Sequence, residues 1–99
     1  MTDSGFTVEH GRWVLSGHLD FETVPSLLVH RGASMQHGSD IHVDLAGVTR
    51  ADSAGLALMV EWLRESERKG LAITFDNVPK QLQSMARICG LEGILFQRQ

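Results

Sequence analysis

The sequence has little of what marks secreted, membrane-spanning or nucleic-acid-binding proteins. Its single cysteine, Cys89, cannot form an internal disulfide, which favours a reducing compartment. Residues 1–16 lack the basic and apolar regions of a secretion signal, and no apolar run approaches the roughly 18 residues of a membrane-spanning helix. A net charge of -3 gives no electrostatic reason to bind nucleic acid. These absences predict a cytoplasmic protein with no nucleic-acid partner and no direct insertion into a membrane.

Patterns typical of metal and catalytic sites are also missing. The five histidines show neither HxxxH nor HExxH spacing, and the chain has no GxSxG elbow and no GxxxxGK[ST] phosphate loop. His18 with Asp20, or His42 with Asp44, could pair on a strand, but a catalytic dyad also needs a nucleophile and an oxyanion site. Cys89 falls on an apolar helical stripe, which favours a core residue over a reactive thiol. We therefore predict no enzyme activity, no cofactor and no metal.

What is present fits one globular domain. The 99 residues are 42% hydrophobic and 21% charged, which is enough to build a single core. Apolar spacing and turn residues predict seven segments. These are two strands within 6–19 that break at His10-Gly11, a first helix over 21–36 after Asp20, a strand from Ile41, a second helix over 54–69 before Gly70, a strand over 71–75, and a third helix from Pro79 to Gly90.

Strands that alternate with helices predict an α/β fold. Because right-handed crossovers return the chain parallel to the preceding strand, the helices should cover one face of the sheet. We expect residues 1–99 to form a single domain with a mixed sheet of about four strands and three helices packed mainly on one face.

The second helix carries more apolar residues than a single core stripe needs. With Leu56 as origin and about 100° per residue, Val60, Leu63, Met59 and Glu67 fall within roughly 60° and define a core stripe. On the same estimate, Leu58 and Trp62 point roughly 200° to 240° away.

Two interpretations of this wide apolar arc remain open. In one, loops or the first helix bury Leu58 and Trp62 inside the domain. In the other, Gly55, Leu58 and Trp62 form an exposed patch on which an aromatic anchor beside small residues binds another protein.

Ser53 lies where a loop becomes the second helix, and it also has two interpretations. Its hydroxyl could cap the helix by accepting a hydrogen bond from a free N–H of the first turn. It could instead be a phosphorylation site, since a helix start stabilises a phosphate whose charge would alter a nearby interface.

The order of motifs resembles a known family. Asp44-Leu45 followed by residues 52–56, DSAGL, is similar to the core signature of STAS domains, the anti-sigma factor antagonist fold. Residues 15–20, LSGHLD, and Thr23-Val24-Pro25 are similar to the same family's strand and first-helix entry, and the resemblance spans about 13–95. The short chain, with its abrupt end after Leu91, most resembles the MlaB-type subunit of the bacterial phospholipid-trafficking ABC transporter.

This resemblance implies a function and a site. A chain of the MlaB type would be a non-catalytic cytoplasmic subunit, held at the inner membrane by its partner. That partner would be an ATPase whose assembly and activity it supports, in a complex that maintains outer-membrane lipid asymmetry. The partner-binding residues would be Asp52, Ser53, Ala54, Gly55, Leu58 and Trp62. In the alternative branch of the family, the chain would be an anti-sigma factor antagonist that a partner kinase phosphorylates at Ser53.

Overall fold

A computed structural model of the chain describes residues 4–34 and 40–96. Within these ranges the elements follow one another as strands β1 (Ser4–Glu9) and β2 (Arg12–Leu19), helix α1 (Val24–Ser34), strand β3 (Ile41–Ala51), helix α2 (Ser53–Arg68), strand β4 (Ile73–Asp76), and helices α3 (Lys80–Ile88) and α4 (Glu92–Leu95). The predicted α/β class with a four-stranded mixed sheet is confirmed. The short α4 was not predicted, so the described chain has four helices rather than three.

The four strands lie in the order β1-β2-β3-β4. β1 and β2 form an antiparallel hairpin whose two turn residues, His10 and Gly11, have φ values of 54° and 79°. Positive φ at both positions suits the right-handed twist of a tight hairpin, and this confirms the predicted break. β2, β3 and β4 run parallel, so the carboxyl ends of β2 and β3 meet at one edge, where Leu19 pairs with Ala51.

Alternation along β3 separates the two faces of the sheet. Ile41, Val43 and Leu45 are buried, whereas His42 is exposed and Asp44 is half-buried. Successive side chains of a strand point to opposite faces of the sheet, so Ile41, Val43 and Leu45 lie on one face and contribute to the core. None of the described helices is both long enough and apolar enough to cross a bilayer.

A polar network crosses the other face of the sheet. The Arg12 guanidinium lies 3.1 Å from the Asp76 carboxylate and 4.0 Å from that of Asp44. Asn77 donates its side-chain N–H to Asp44 at 3.0 Å. The Asn77 amide, the Ala46 N–H and Arg12 together hold the pKa of Asp44 below its ordinary value, against the opposing effect of partial burial.

The helix ends follow the predictions closely at α2 and less closely elsewhere. Gly70 follows α2 with φ of 71°, as expected of a residue that ends a helix in the left-handed region. Pro79 is the N-cap of α3 rather than its first residue. Cys89 is the C-cap of that helix and is exposed, so its assignment to the core was wrong.

The predicted first helix began too early. Residues 21–23 form a turn and α1 begins at Val24, because the carboxylate of Asp20 binds the N–H groups of Glu22 and Thr23. The predicted last two residues of this helix, 35 and 36, lie outside the described residues.

Candidate protein-binding site

The face of helix α2 that was predicted to bind a partner points toward the core. Leu58 and Trp62 are each only 1% exposed, and Gly55 lies on the same buried side. The prediction of an exposed patch formed by these three residues was therefore wrong. The residues are buried within the domain as in the alternative interpretation, but strand residue Trp13, and not only a loop or α1, covers Trp62. The apolar arc is wide because α2 packs against the sheet and also against α1, α3 and α4.

Trp62 belongs to an aromatic cluster with Phe6 and Trp13. The rings of Trp13 and Trp62 meet edge to face with centroids 4.8 Å apart, and Phe6 lies 5.6 Å from Trp13 and 6.3 Å from Trp62. These distances are typical of stabilising aromatic pairs in a core. The buried indole N–H of Trp62 makes no hydrogen bond to any described residue. Trp62 therefore acts through packing rather than as a contact for another protein.

Gly55 allows the start of α2 to approach the end of β2. A Cβ added at this position would lie 3.1 Å from the Leu19 Cβ, 3.3 Å from the Leu19 carbonyl oxygen and 3.4 Å from a methyl carbon of Leu82. Gly55 and Ala54 are both buried, so neither offers a side chain to a partner. Their small size sets the spacing between helix and sheet.

Asp52, not Ser53, caps α2. The Asp52 carboxylate accepts a hydrogen bond from the Ala54 N–H at 2.8 Å, and Asp52 has the extended backbone of an N-cap. The interpretation of Ser53 as the cap was wrong by one residue. Ser53 is the exposed first residue of the helix, and within the described chain no hydrogen bond to its hydroxyl is present. Its hydroxyl is thus available to another molecule.

Hydrogen bonds join the loop before α2 to its neighbours. The Asp52 N–H donates to the Leu19 carbonyl at 3.1 Å, and the Ala51 N–H donates to the Gln81 side chain at 3.2 Å. These bonds tie the end of β3 to the end of β2 and to the start of α3. We call this end of the sheet, residues 19–23 and 51–53, the Ser53 edge.

The turn after β2 forms the other half of the Ser53 edge. Asp20 accepts N–H hydrogen bonds from Glu22 at 3.0 Å and Thr23 at 3.1 Å. The buried Thr23 hydroxyl donates to the His18 carbonyl at 2.8 Å. Partial burial pulls the pKa of Asp20 upward, but these N–H donors, the Thr23 hydroxyl and the nearby His18 outweigh it, so that pKa is below its ordinary value.

Phe21 lies within this turn and is 73% exposed. Sequence reasoning placed it in the first helix and did not single it out. The signal that could have found it is the Asp20-to-Thr23 spacing, since side chains of these types hydrogen-bond to a local turn and would leave the residue between them outside the helix.

The structure thus divides the predicted site residues. Asp52 and Ser53 lie at the surface of the Ser53 edge, whereas Ala54, Gly55, Leu58 and Trp62 lie behind it. The His18 and Asp20 side chains approach to 3.8 Å, as an ion pair when the histidine is protonated. Among the residues that the structure describes, no three His, Cys, Asp or Glu side chains are placed to hold a metal ion. The arrangement suits recognition by another protein.

Comparison with known proteins gives a family match and a curated relative. A family model described as "Mlab, STAS domain" matches residues 3–97. The anti-sigma-B factor antagonist of Staphylococcus epidermidis is 32% identical over 82 residues, which span 82% of this chain and 76% of the antagonist.

Two solved structures of the anti-sigma factor antagonist SpoIIAA share the fold. The unphosphorylated form aligns with a TM-score of 0.61 at 17% identity, covering 86% of this chain and 79% of that chain. The phosphorylated form, from Bacillus, aligns with a TM-score of 0.68 at 17% identity, covering 94% of this chain and 88% of that chain. At such identities the likeness concerns the fold alone.

Proposed function

The chain belongs to the STAS domain family, and we propose that it is a non-catalytic subunit that binds the ATPase of a bacterial phospholipid-transport ABC complex through the Ser53 edge. In this role it supports assembly and activity of the ATPase, and it lies in the cytoplasm against the inner membrane through that partner. The complex it serves maintains outer-membrane lipid asymmetry.

The exposure of Ser53 on a rigid edge carries the binding role. Asp52 caps α2, so the Ser53 hydroxyl makes no capping hydrogen bond within the described residues. The hydrogen bond from Asp52 to Leu19 holds the helix start against the end of β2. A surface that is ordered before binding loses less conformational entropy in a complex, which favours affinity.

The choice of partner rests on the family match. The model described as "Mlab, STAS domain" spans residues 3–97 and thus nearly the whole chain. The relation to the antagonist of Staphylococcus epidermidis covers a shorter stretch of 82 residues. A chain that follows one family model from end to end supports the transporter subunit as the first candidate.

The second candidate is an anti-sigma factor antagonist that a serine kinase regulates at Ser53. The 32% identity to the anti-sigma-B factor antagonist favours it, as does the accessible hydroxyl at a helix start. A phosphate there would add about two negative charges beside Asp52 and change the surface that a partner meets. The Ser53 edge would serve either partner.

Affinity purification of the tagged full chain from its native bacterium tests the proposal. We expect an ABC-transporter ATPase to co-purify with the wild-type chain, and Ser53→Glu to lose it. Lys69→Glu introduces the same residue at the other end of α2, about 24 Å away by helix rise, and should retain the ATPase.

The identity of the recovered protein separates the two candidates. A serine kinase recovered in place of the ATPase, with phosphoserine at position 53 by mass spectrometry, would replace the first candidate with the second. Retention of the ATPase by Ser53→Glu at the wild-type level would show that binding does not use the Ser53 edge.

A further inference from the structure

Phe21 is an exposed aromatic residue in a turn that is unusually well ordered by hydrogen bonds. Within residues 4–34 and 40–96, the large hydrophobic side chains that are most exposed are otherwise aliphatic: Val8, Val29, Ile88 and Ile94. A solitary exposed hydrophobic residue is common and needs no explanation by itself. The surroundings of Phe21 are what distinguish it.

Four hydrogen bonds fix the backbone on both sides of Phe21. Asp20 binds the N–H groups of Glu22 and Thr23, while Thr23 binds the Asp20 N–H at 3.0 Å and the His18 carbonyl. Thr23 is only 2% exposed, so this arrangement is anchored in the core. The turn therefore holds an aromatic ring in solvent with little backbone freedom, which reduces the entropic cost of placing that ring in a pocket.

Phe21 and Ser53 follow the carboxyl ends of two neighbouring strands that are hydrogen-bonded to each other. The Asp52 N–H donates to the Leu19 carbonyl, and Leu19 is paired with Ala51 in the sheet. Leu19 is two residues before Phe21, and Asp52 is directly before Ser53. The two exposed residues therefore lie at the same end of the sheet, within reach of one partner.

Acidic side chains border this surface. Asp20 and Glu22 flank Phe21, and Asp52 flanks Ser53, while the nearest cation along β3 is the exposed Arg50. Hydrogen bonds from the turn lower the pKa of Asp20 below its ordinary value, so burial in the turn does not remove its negative charge at neutral pH. Complementary interfaces place opposite charges across from one another, so the matching surface should be apolar at its centre and basic at its rim.

We propose that Phe21 is the apolar anchor of the Ser53 edge and inserts into an apolar pocket, rimmed by Lys or Arg, on the same partner ATPase that contacts Ser53. This inference rests on the proposed function and names Phe21 as the residue that anchors the partner. Ser53 then controls whether the two surfaces meet, and Phe21 supplies most of the affinity once they do.

Isothermal titration of the full chain with the purified ATPase of the same organism's phospholipid-transport complex tests the anchor. We expect Phe21→Ala to raise Kd at least tenfold, as truncation of an interface anchor does. Ile88→Ala removes an equally exposed apolar side chain, 83% exposed at the end of α3, and should change Kd by less than about twofold. Both variants should keep the wild-type Tm, because each removes a side chain that faces solvent.

The outcomes separate the anchor from the proposed function. A change of less than tenfold in Phe21→Ala, with binding abolished in Ser53→Glu, would overturn the anchor and leave docking at the Ser53 edge standing. Wild-type affinity in both Phe21→Ala and Ser53→Glu would show that the ATPase does not bind at the Ser53 edge. The basic rim is tested by salt: Kd should rise with NaCl concentration, and a Kd that is constant between about 50 and 500 mM would show that the pocket rim is not basic.

Discussion

The Ser53 edge and the aromatic cluster lie near the same helix but have opposite surroundings. At Ser53 the side chain faces solvent and leaves its hydroxyl free of any hydrogen bond within the described chain. At Trp62, about two turns further along α2, the ring is 1% exposed and contacts Trp13 edge to face. One helix therefore has a solvent-exposed start and a core-packed region further along, so changes at its two regions should have different effects.

Removal of Trp62 should have the largest effect on stability. We expect Trp62→Ala to lower the free energy of unfolding by about 3–5 kcal/mol, because it removes a fully buried aromatic side chain and leaves a cavity. Trp62→Phe should lose clearly less, since the indole N–H has no hydrogen-bond partner among the described residues. Urea denaturation followed by circular dichroism measures both. A loss below about 1 kcal/mol in Trp62→Ala would contradict the packing role of the cluster.

At the other region, the two residues at the helix start should differ from each other. Asp52→Ala should cost about 1 kcal/mol of unfolding free energy because the Ala54 N–H loses its acceptor. Ser53→Ala should stay within about 0.5 kcal/mol of the wild type, since its hydroxyl caps nothing. Thermal denaturation of the pair measures the difference. An equal loss of unfolding free energy in both variants would show that the Ser53 hydroxyl also caps α2.

The smallest effect should come from the polar network on the outer face, through Asp44. Its pKa is below the ordinary value of 3.8, so Asp44 stabilises the fold above that pH and loses this contribution as pH falls through the lowered pKa. We expect less than about 1 kcal/mol, because the group is close to solvent. In Asp44→Asn the unfolding free energy should fall less steeply with acid below about pH 4 than in the wild type. An acid dependence of Asp44→Asn identical to that of the wild type would show that Asp44 does not contribute to stability through its lowered pKa.

The order of elements was predictable because local signals mark it. His10-Gly11 specifies the hairpin through its backbone conformation, and Gly70 ends α2 in the same way. Alternation of Ile41, Val43 and Leu45 with polar residues gives the buried face of β3. Such signals depend on a few neighbouring residues and need no knowledge of tertiary contacts.

The orientation of α2 was not predictable from its own pattern. Its apolar residues occupy more than one side, because the helix has neighbours on several sides, and an origin at Leu56 selected the flank instead of the centre of the buried face. The exposure of Phe21, by contrast, depends on local side-chain hydrogen bonds from Asp20 that delay the start of α1 to Val24, and the Asp20-to-Thr23 spacing could have predicted it. Only for α2 do the deciding contacts join residues of different elements.

The absence of a side chain at Gly55 links the packing of the core to the placement of the exposed start of α2. A methyl group there would press on Leu19, whose carbonyl accepts the hydrogen bond from Asp52. The contacts of 3.1–3.4 Å that a Cβ at Gly55 would make mean that a larger residue there requires Leu19 or Leu82 to shift by a few tenths of an ångström, whereas the exposed Ser53 has no such restriction. If the Ser53 edge binds the partner as proposed, engineering a new binding specificity into this domain would vary Ser53 and keep Gly55, two positions further along the chain, constant.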